Sequence, residues 1–418
     1  MLRLHDKPQE TTMTPFPHTS RRRLLSGGAT ALAALGLGRA QAQTASAPTP
    51  AAAAPARSLP PYVDWKDAEQ MIVHTGTTIE TRRSAFGTSI ITPAERLYIR
   101  NNLPAPEVGI VADPDAWAMA VEGVQQPRYL TVRELKALGI ETVATVLQCS
   151  GNGRGYFAGK PSGTKWTVGA AGCVLWSGVP VRNVVAALGG LAGGARFMTG
   201  TGGEKLPEGL DPRSVMVERS VPLKAMQDAL LAWEMNGEPL HHAHGGPLRL
   251  VVPGYSGVNN IKYIKRLAFT AAESDAAIQK TGYRMSPPGT KGDPSHPSVW
   301  EMDVKSWING PAPETGPLRA GWVQVHGVAM GGTRPLRRVD VSIDGGQTWR
   351  EARLVGPDLG RFAWRQFVLP VQLPPGQHVL ASRAQDTQFN WQVETSPENA
   401  GGYLNSGWRS HALPITVA

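Results

Sequence analysis

One of the chain's two cysteines, Cys149, is followed by a glycine-rich turn that carries an arginine: Leu147-Gln148-Cys149-Ser150-Gly151-Asn152-Gly153-Arg154. A thiolate is both a nucleophile and a soft metal ligand, and a nearby guanidinium or metal lowers the thiol's pKa. Arg154, five residues on, is close enough to fold back over the sulfur. These residues alone leave three readings open: a packed thiol, a nucleophile or a metal ligand. Several other chemistries fail on spacing. A phosphate-binding loop needs glycine where Arg154 stands and Ser or Thr where Pro161 stands. The segment has no G-x-S-x-G elbow. Gly151, Gly153 and Gly155 alternate, where a dinucleotide fingerprint needs G-x-G-x-x-G. A disulfide between Cys149 and Cys173 is open in an oxidising compartment, whereas no C-x-x-C-H is present to attach a c-type haem. His241, His242 and His244 lack the HExxH arrangement and a nearby acidic third ligand, which argues against zinc.

The elements that position this cysteine are mixed in type. Runs such as VATVLQC, GPLRLVVPG and IKYIKRLAF read as strands, and Cys149 closes the first of them. TVRELKALG and VPLKAMQDALLAWEMNG read as helices ending near glycine. Without regular βαβ alternation, residues 61–292 are expected to form an α+β domain of mixed sheets. From 293 to 418 the texture changes to short alternating segments between Gly, Pro and Asp turns, which predicts an immunoglobulin-like β-sandwich. Asp344-Gly345-Gly346 is a hairpin signal within it.

Residues 1–42 carry Ser20-Arg21-Arg22-Arg23, a short apolar run and Ala40-Gln41-Ala42. This is the pattern of a twin-arginine signal peptide, with an apolar run too short to serve as a membrane anchor. It predicts periplasmic export of a folded protein, often one with its cofactor inserted. Residues 43–60 read as an Ala/Pro linker. Without the signal, which holds six basic and two acidic residues, the formal charge falls from +9 to +5. That is enough to attract a small anion and is no nucleic-acid signature.

LQCSGNGR resembles the molybdenum-cysteine segment of the sulfite oxidase family. LYIRNNLPAPE, LLAWEMNGEPL, HGGPLRLVVPG and VNNIKYIKRL follow that family's order, as do RVDVSIDGGQTW and GYLNSGW in the second domain. The resemblance implies a Mo-molybdopterin cofactor with Cys149 as the thiolate ligand on the metal. It implies cofactor-binding roles for Arg100, Asn101, Asn102, Ser150, His244, Arg249 and Lys262. It also places Arg100, Arg154, Trp166 and Tyr283 at the substrate pocket. A soft thiolate suits a redox metal, and paired guanidiniums suit a sulfur oxyanion.

The implied reaction is oxidation of sulfite to sulfate by oxygen-atom transfer, with electrons passed to an external c-type cytochrome. A homodimer, or a heterodimer with a cytochrome subunit, is expected. The alternatives are a sulfane dehydrogenase subunit of a thiosulfate-oxidising complex, a sulfoxide reductase using the same cofactor, and a cofactor-free binding module. Three positions depart from the family pattern. Asn102 stands in place of histidine and cannot titrate. Trp233 stands in place of tyrosine. Gly401 stands where a pocket arginine is expected, with Arg409 as the nearest candidate to replace its charge.

Overall fold

The structure, a computed structural model, describes residues 58–103 and 113–418. The signal and most of the linker lie outside the described residues. The described residues belong to one compact unit. Among them no helix is long and apolar enough to cross a membrane.

The first part is built from three sheets. Met71–Thr75, Thr78–Thr81 and Ile99–Arg100 form a small antiparallel sheet. A second sheet runs Glu238–Pro239, Leu230–Met235, Ala171–Pro180, Glu141–Gln148, with Arg249–Val251 also paired to Leu230–Met235. A third runs Arg128–Thr131, Ala118–Glu122, Ile264–Thr270, Phe197–Gly202, Glu218–Pro222. It is mixed, because Ile264–Thr270 lies parallel to Ala118–Glu122 and antiparallel to Phe197–Gly202. Few and short helices accompany these sheets, as the α+β expectation requires.

The helix expected in TVRELKALG is present over Val132–Lys136. It opens on a capping box in which Thr131 and Glu134 satisfy each other's backbone donors. The helix expected over Val221–Gly237 is not. That segment ends the strand Glu218–Pro222, makes a single 3-10 turn at Leu223–Gln227, and enters the strand Leu230–Met235. This strand lies between two partners, and Ala229 to Trp233 are all buried. A central strand covered on both sides carries a continuous apolar run, which periodicity does not separate from a helix.

The second part is a sandwich of two four-stranded sheets. One runs Lys305–Gly310, Gly321–Met330, Arg365–Leu373, Arg353–Val355, and the other Arg350–Glu351, Leu336–Ser342, Gly376–Asp386, Leu413–Val417. Val325, Val339, Val341, Phe367, Val371 and Leu380 fill the space between them. Asp344 lies in the connection from Leu336–Ser342 to Arg350–Glu351, where its carboxylate accepts from the amides of Gln347 and Thr348. This loop is longer than a two-residue turn, although Gly345 and Gly346 both take positive φ. A further core joins the two parts: Phe86, Val146 and Cys173 pack with Trp307, Val328 and Trp364. Apolar burial on this scale holds the second part against the back of the sheet that carries Cys149.

Candidate active site

The strand Glu141–Gln148 runs antiparallel to Ala171–Pro180 and delivers Cys149 at its end. The cysteine's amide donates to the carbonyl of Ala170 at 2.8 Å, and its carbonyl accepts from the amide of Asn152 at 2.9 Å. Cys149 is buried beside Leu147, Trp166, Val174 and Trp176. Both cysteines are free thiols, so the open disulfide is not formed. The two belong to separate packing groups, and burial pushes the Cys173 thiol up to about 12. That is the signature of an inert structural thiol.

Cys149 opens onto a cavity that also takes Arg100, Asn101, Asn102, Ser150, His244, Arg249, Lys262 and Tyr283 into its lining. They arrive from several separate segments. Arg100 ends the short strand Ile99–Arg100, Arg249 begins Arg249–Val251, and His244 closes the 3-10 turn His242–His244. Lys262 enters where Gly245 leaves room for it. A Cβ on Gly245 would lie 2.7 Å from the Lys262 side chain, and the glycine takes a φ of +104° that other residues rarely adopt. Tyr283, just past the helix Ala277–Lys280, takes a φ of +49° that favours glycine.

The cations are held by backbone carbonyls and amides, with few carboxylates among them. Lys262 Nζ donates to Asn101 Oδ1 at 2.6 Å and to the carbonyl of Ala243 at 2.7 Å. Arg249 donates through Nη1 to the carbonyl of His244 at 2.7 Å. Arg100 Nη2 lies 3.4 Å from the Tyr283 hydroxyl, which itself lies 3.4 Å from Asn102 Oδ1. Burial holds the Lys262 amine well below its usual range, and the nearby Arg249 adds to this. Burial, then Lys66, does the same to the His244 imidazole. Glu204 is the carboxylate of the lining, and burial pushes it up to about 7.

This donor set fits an anionic, phosphate-bearing cofactor bound through sulfur. Several cations converge on one cavity, and Ser150 Oγ and Arg249 Nε are buried with no partner in the protein. Unpaired buried donors of this kind are costly unless a ligand satisfies them. Cys149 supplies the soft donor on the same wall.

Arg154 and Trp166 are not among the residues that line this cavity. Arg154 is buried, donating through Nε to the carbonyl of Gly401 at 2.8 Å and through Nη1 to that of Thr164 at 3.2 Å. Trp166 is only 1% exposed and packs edge-on against His74 and Tyr98. Arg409 does not supply the charge missing at Gly401, because its side chain is exposed and paired with Glu394. Trp233 is a packing residue of the main core.

Sequence reasoning missed Tyr98, Glu204, Lys66 and Tyr403. Tyr98 precedes Arg100 by two residues, so strand alternation alone could have put both on one face. Lys66 is 4% exposed and lies 3.2 Å from His244 Nε2, with no motif to announce it.

Comparison with known proteins agrees with this geometry. Residues 104–278 match the oxidoreductase molybdopterin binding domain, and residues 296–416 the Mo-co oxidoreductase dimerisation domain. The chain is 31% identical to the sulfite oxidase of Arabidopsis thaliana over 363 residues, covering 80% of this chain and 91% of that one. It is 33% identical over 351 residues to the mitochondrial sulfite oxidase of Rattus norvegicus, covering 79% of this chain but 62% of that relative's length. The crystal structure of the sulfane dehydrogenase SoxCD from Paracoccus pantotrophus shares the fold. Its TM-score is 0.69 at 24% identity, over 83% of this chain and 89% of that one.

Fold and site together define a molybdopterin-dependent oxidoreductase. The chain belongs to the sulfite oxidase family, and its cofactor is Mo-molybdopterin.

Proposed function

We propose that this protein oxidises sulfite to sulfate by oxygen-atom transfer and passes the electrons to an external c-type cytochrome. The observation that carries the reading is the convergence of Cys149, Arg100 and Tyr283 with His244, Arg249 and Lys262 on one cavity. When bound, the cofactor supplies two-electron oxygen-atom transfer. Cys149 is its thiolate ligand. His244, Arg249 and Lys262, with Asn101, Asn102 and Ser150, hold its polar and anionic parts. Arg100 draws the substrate anion in and orients it, while the Tyr283 hydroxyl donates to it. Arg154, held by the carbonyls of Gly401 and Thr164, acts as a fixed positive charge outside the lining.

The reading extends to the whole chain. Residues 61–292 form the cofactor domain and 293–418 the domain through which two copies, or a copy and a cytochrome subunit, associate. Residues 1–42 direct twin-arginine export to the periplasm. A second reading, oxidation of sulfane sulfur, is favoured by Gly401, which brings no cation to the pocket.

Metal analysis of purified protein, together with sulfite-dependent reduction of cytochrome c, tests this. Stoichiometric molybdenum with sulfite turnover is the expected result. Molybdenum without sulfite turnover would remove the substrate assignment.

A further inference from the structure

His244 lines the cofactor cavity, and among the described residues only one of its two ring nitrogens is bonded. That nitrogen, Nε2, lies 3.2 Å from Nζ of the buried Lys66. The same amine donates to the carbonyls of Ala94 and Leu97, each at 2.7 Å. Three segments meet at this point: the residues after the 3-10 turn Pro61–Val63, the approach to the strand Ile99–Arg100, and the turn His242–His244. The Trp65 ring closes the group. Its centroid lies 4.4 Å from the Lys66 amine and 5.9 Å from the His244 ring centre, which it meets edge-on. The partners of the amine are thus two carbonyls and a ring nitrogen, none of them an anion.

An ammonium has three N–H donors and no acceptor. Two are taken by the carbonyls, so the third meets Nε2, which must present its lone pair. A neutral imidazole that accepts at Nε2 carries its proton on Nδ1. Imidazolium does not fit, because it would set two donors against each other at 3.2 Å. Burial, then Lys66, also hold the ring well below its usual range. The charge of the amine is the condition for this arrangement. Burial brings Lys66 down to about 7, with Glu95 opposing, so at about pH 6 it holds its third proton. An anion bound in the cavity that His244 lines favours that proton further.

We propose that Lys66 is a positioning residue that fixes His244 as its Nδ1–H tautomer, so that the ring serves the cofactor as a hydrogen-bond donor. The inference rests on the cofactor-holding role given to His244 above. A phosphate and a pterin carbonyl both offer acceptors. A neutral ring that donates can serve either without adding charge to a lining that already holds Arg100, Arg249 and Lys262. The opposite tautomer would turn a lone pair toward those acceptors and repel them. In metal sites the same device, a partner on the far nitrogen that sets the tautomer of a histidine, is worth about 10–100-fold in affinity.

The test uses molybdenum-replete protein with isotopically labelled histidines. Proton–nitrogen correlation spectra at the same pH distinguish Nδ1–H from Nε2–H and from imidazolium, and the His244 signal is the one missing from His244→Ala. The Nδ1–H pattern is expected in the unmutated protein. Lys66→Met keeps the stem and removes the donor. It is expected to retain about tenfold less molybdenum after purification, with the pure Nδ1–H pattern lost and the thermal melt of the apoprotein held. An Nε2–H or imidazolium pattern in the unmutated protein overturns the inference, whether or not the variant folds. Full molybdenum in Lys66→Met beside its loss from His244→Ala also overturns it, and leaves the cofactor role of His244 standing. Full molybdenum in His244→Ala removes that role and the inference with it.

Discussion

The amine of Lys305, on the first strand of the sandwich, lies 3.4 Å from the carbonyl of Asn152, three residues beyond Cys149. Lys305 is 1% exposed, and burial brings its amine down to about 7, with Asp303 opposing that shift and Arg83 adding to it. The folded-state pKa is below the unfolded one, so the unfolded chain binds more protons between about pH 7 and 10. Stability from this group therefore rises with pH across that window, and the full penalty is present below it. Lys305→Met should be more stable than the parent at pH 6, by on the order of a few kcal/mol, with the advantage shrinking toward pH 10. Urea unfolding of both proteins across this range checks it. A difference independent of pH would refute the assignment.

Cys149→Ser should keep the fold and lose turnover. The site is buried among Leu147, Trp166 and Trp176, and serine is close to cysteine in size, so the cost of burying a hydroxyl is about 1–3 kcal/mol. Hydroxyl is a much poorer ligand than thiolate for a soft metal. Sulfite-dependent acceptor reduction should fall by at least about a hundredfold, with circular dichroism unchanged. Normal turnover would show that Cys149 is not the ligand.

Lys262→Met separates holding the cofactor from holding the fold. Burial, then Arg249, Arg100 and Lys66, disfavour charge on this amine, with Glu204 opposing them, so in the apoprotein the charged form is a liability. The apoprotein should melt no lower than its parent. Molybdenum retained after purification should fall about tenfold or more, as for other groups that orient a bound metal site. Metal analysis beside thermal melts of both forms decides this. Full molybdenum content in the variant would exclude a cofactor role.

Much of the first domain was legible because its physics is local. The strand ending at Cys149 announces itself by its apolar run, and the helix Val132–Lys136 by its capping box. The segment from Val221 to Gly237 was not, because a strand paired on both edges has the apolar density of a buried helix. Arg219 was invisible for another reason. A charged residue in a strand reads as solvent-facing, yet this one is 1% exposed and satisfied by Ile278, Asn259 and Ser298, all distant in sequence. Its partners exist only after folding, and so does its place beneath Tyr283.

The relation between Gly401 and Tyr403 makes a prediction that needs no reference to substrate. Sequence shows only a glycine where a pocket arginine is expected, which reads as a looser anion site or a charge supplied from elsewhere. In the fold the two positions compete for one volume, since a Cβ at 401 would lie 2.0 Å from the Tyr403 ring. Gly401→Ala must push that ring off Tyr283 or strain the loop, at a cost of about 1–3 kcal/mol. Tyr403→Ala loses the stack on Tyr283, which beyond area burial is worth about 0.5–1.5 kcal/mol. Once the ring is gone, the added methyl meets empty space, so the double variant should be more stable than the sum of the two changes predicts. A double-mutant cycle measured by chemical unfolding should return a coupling of about 1 kcal/mol or more in that direction. Additive effects would mean that the ring does not occupy the place a side chain at 401 would take.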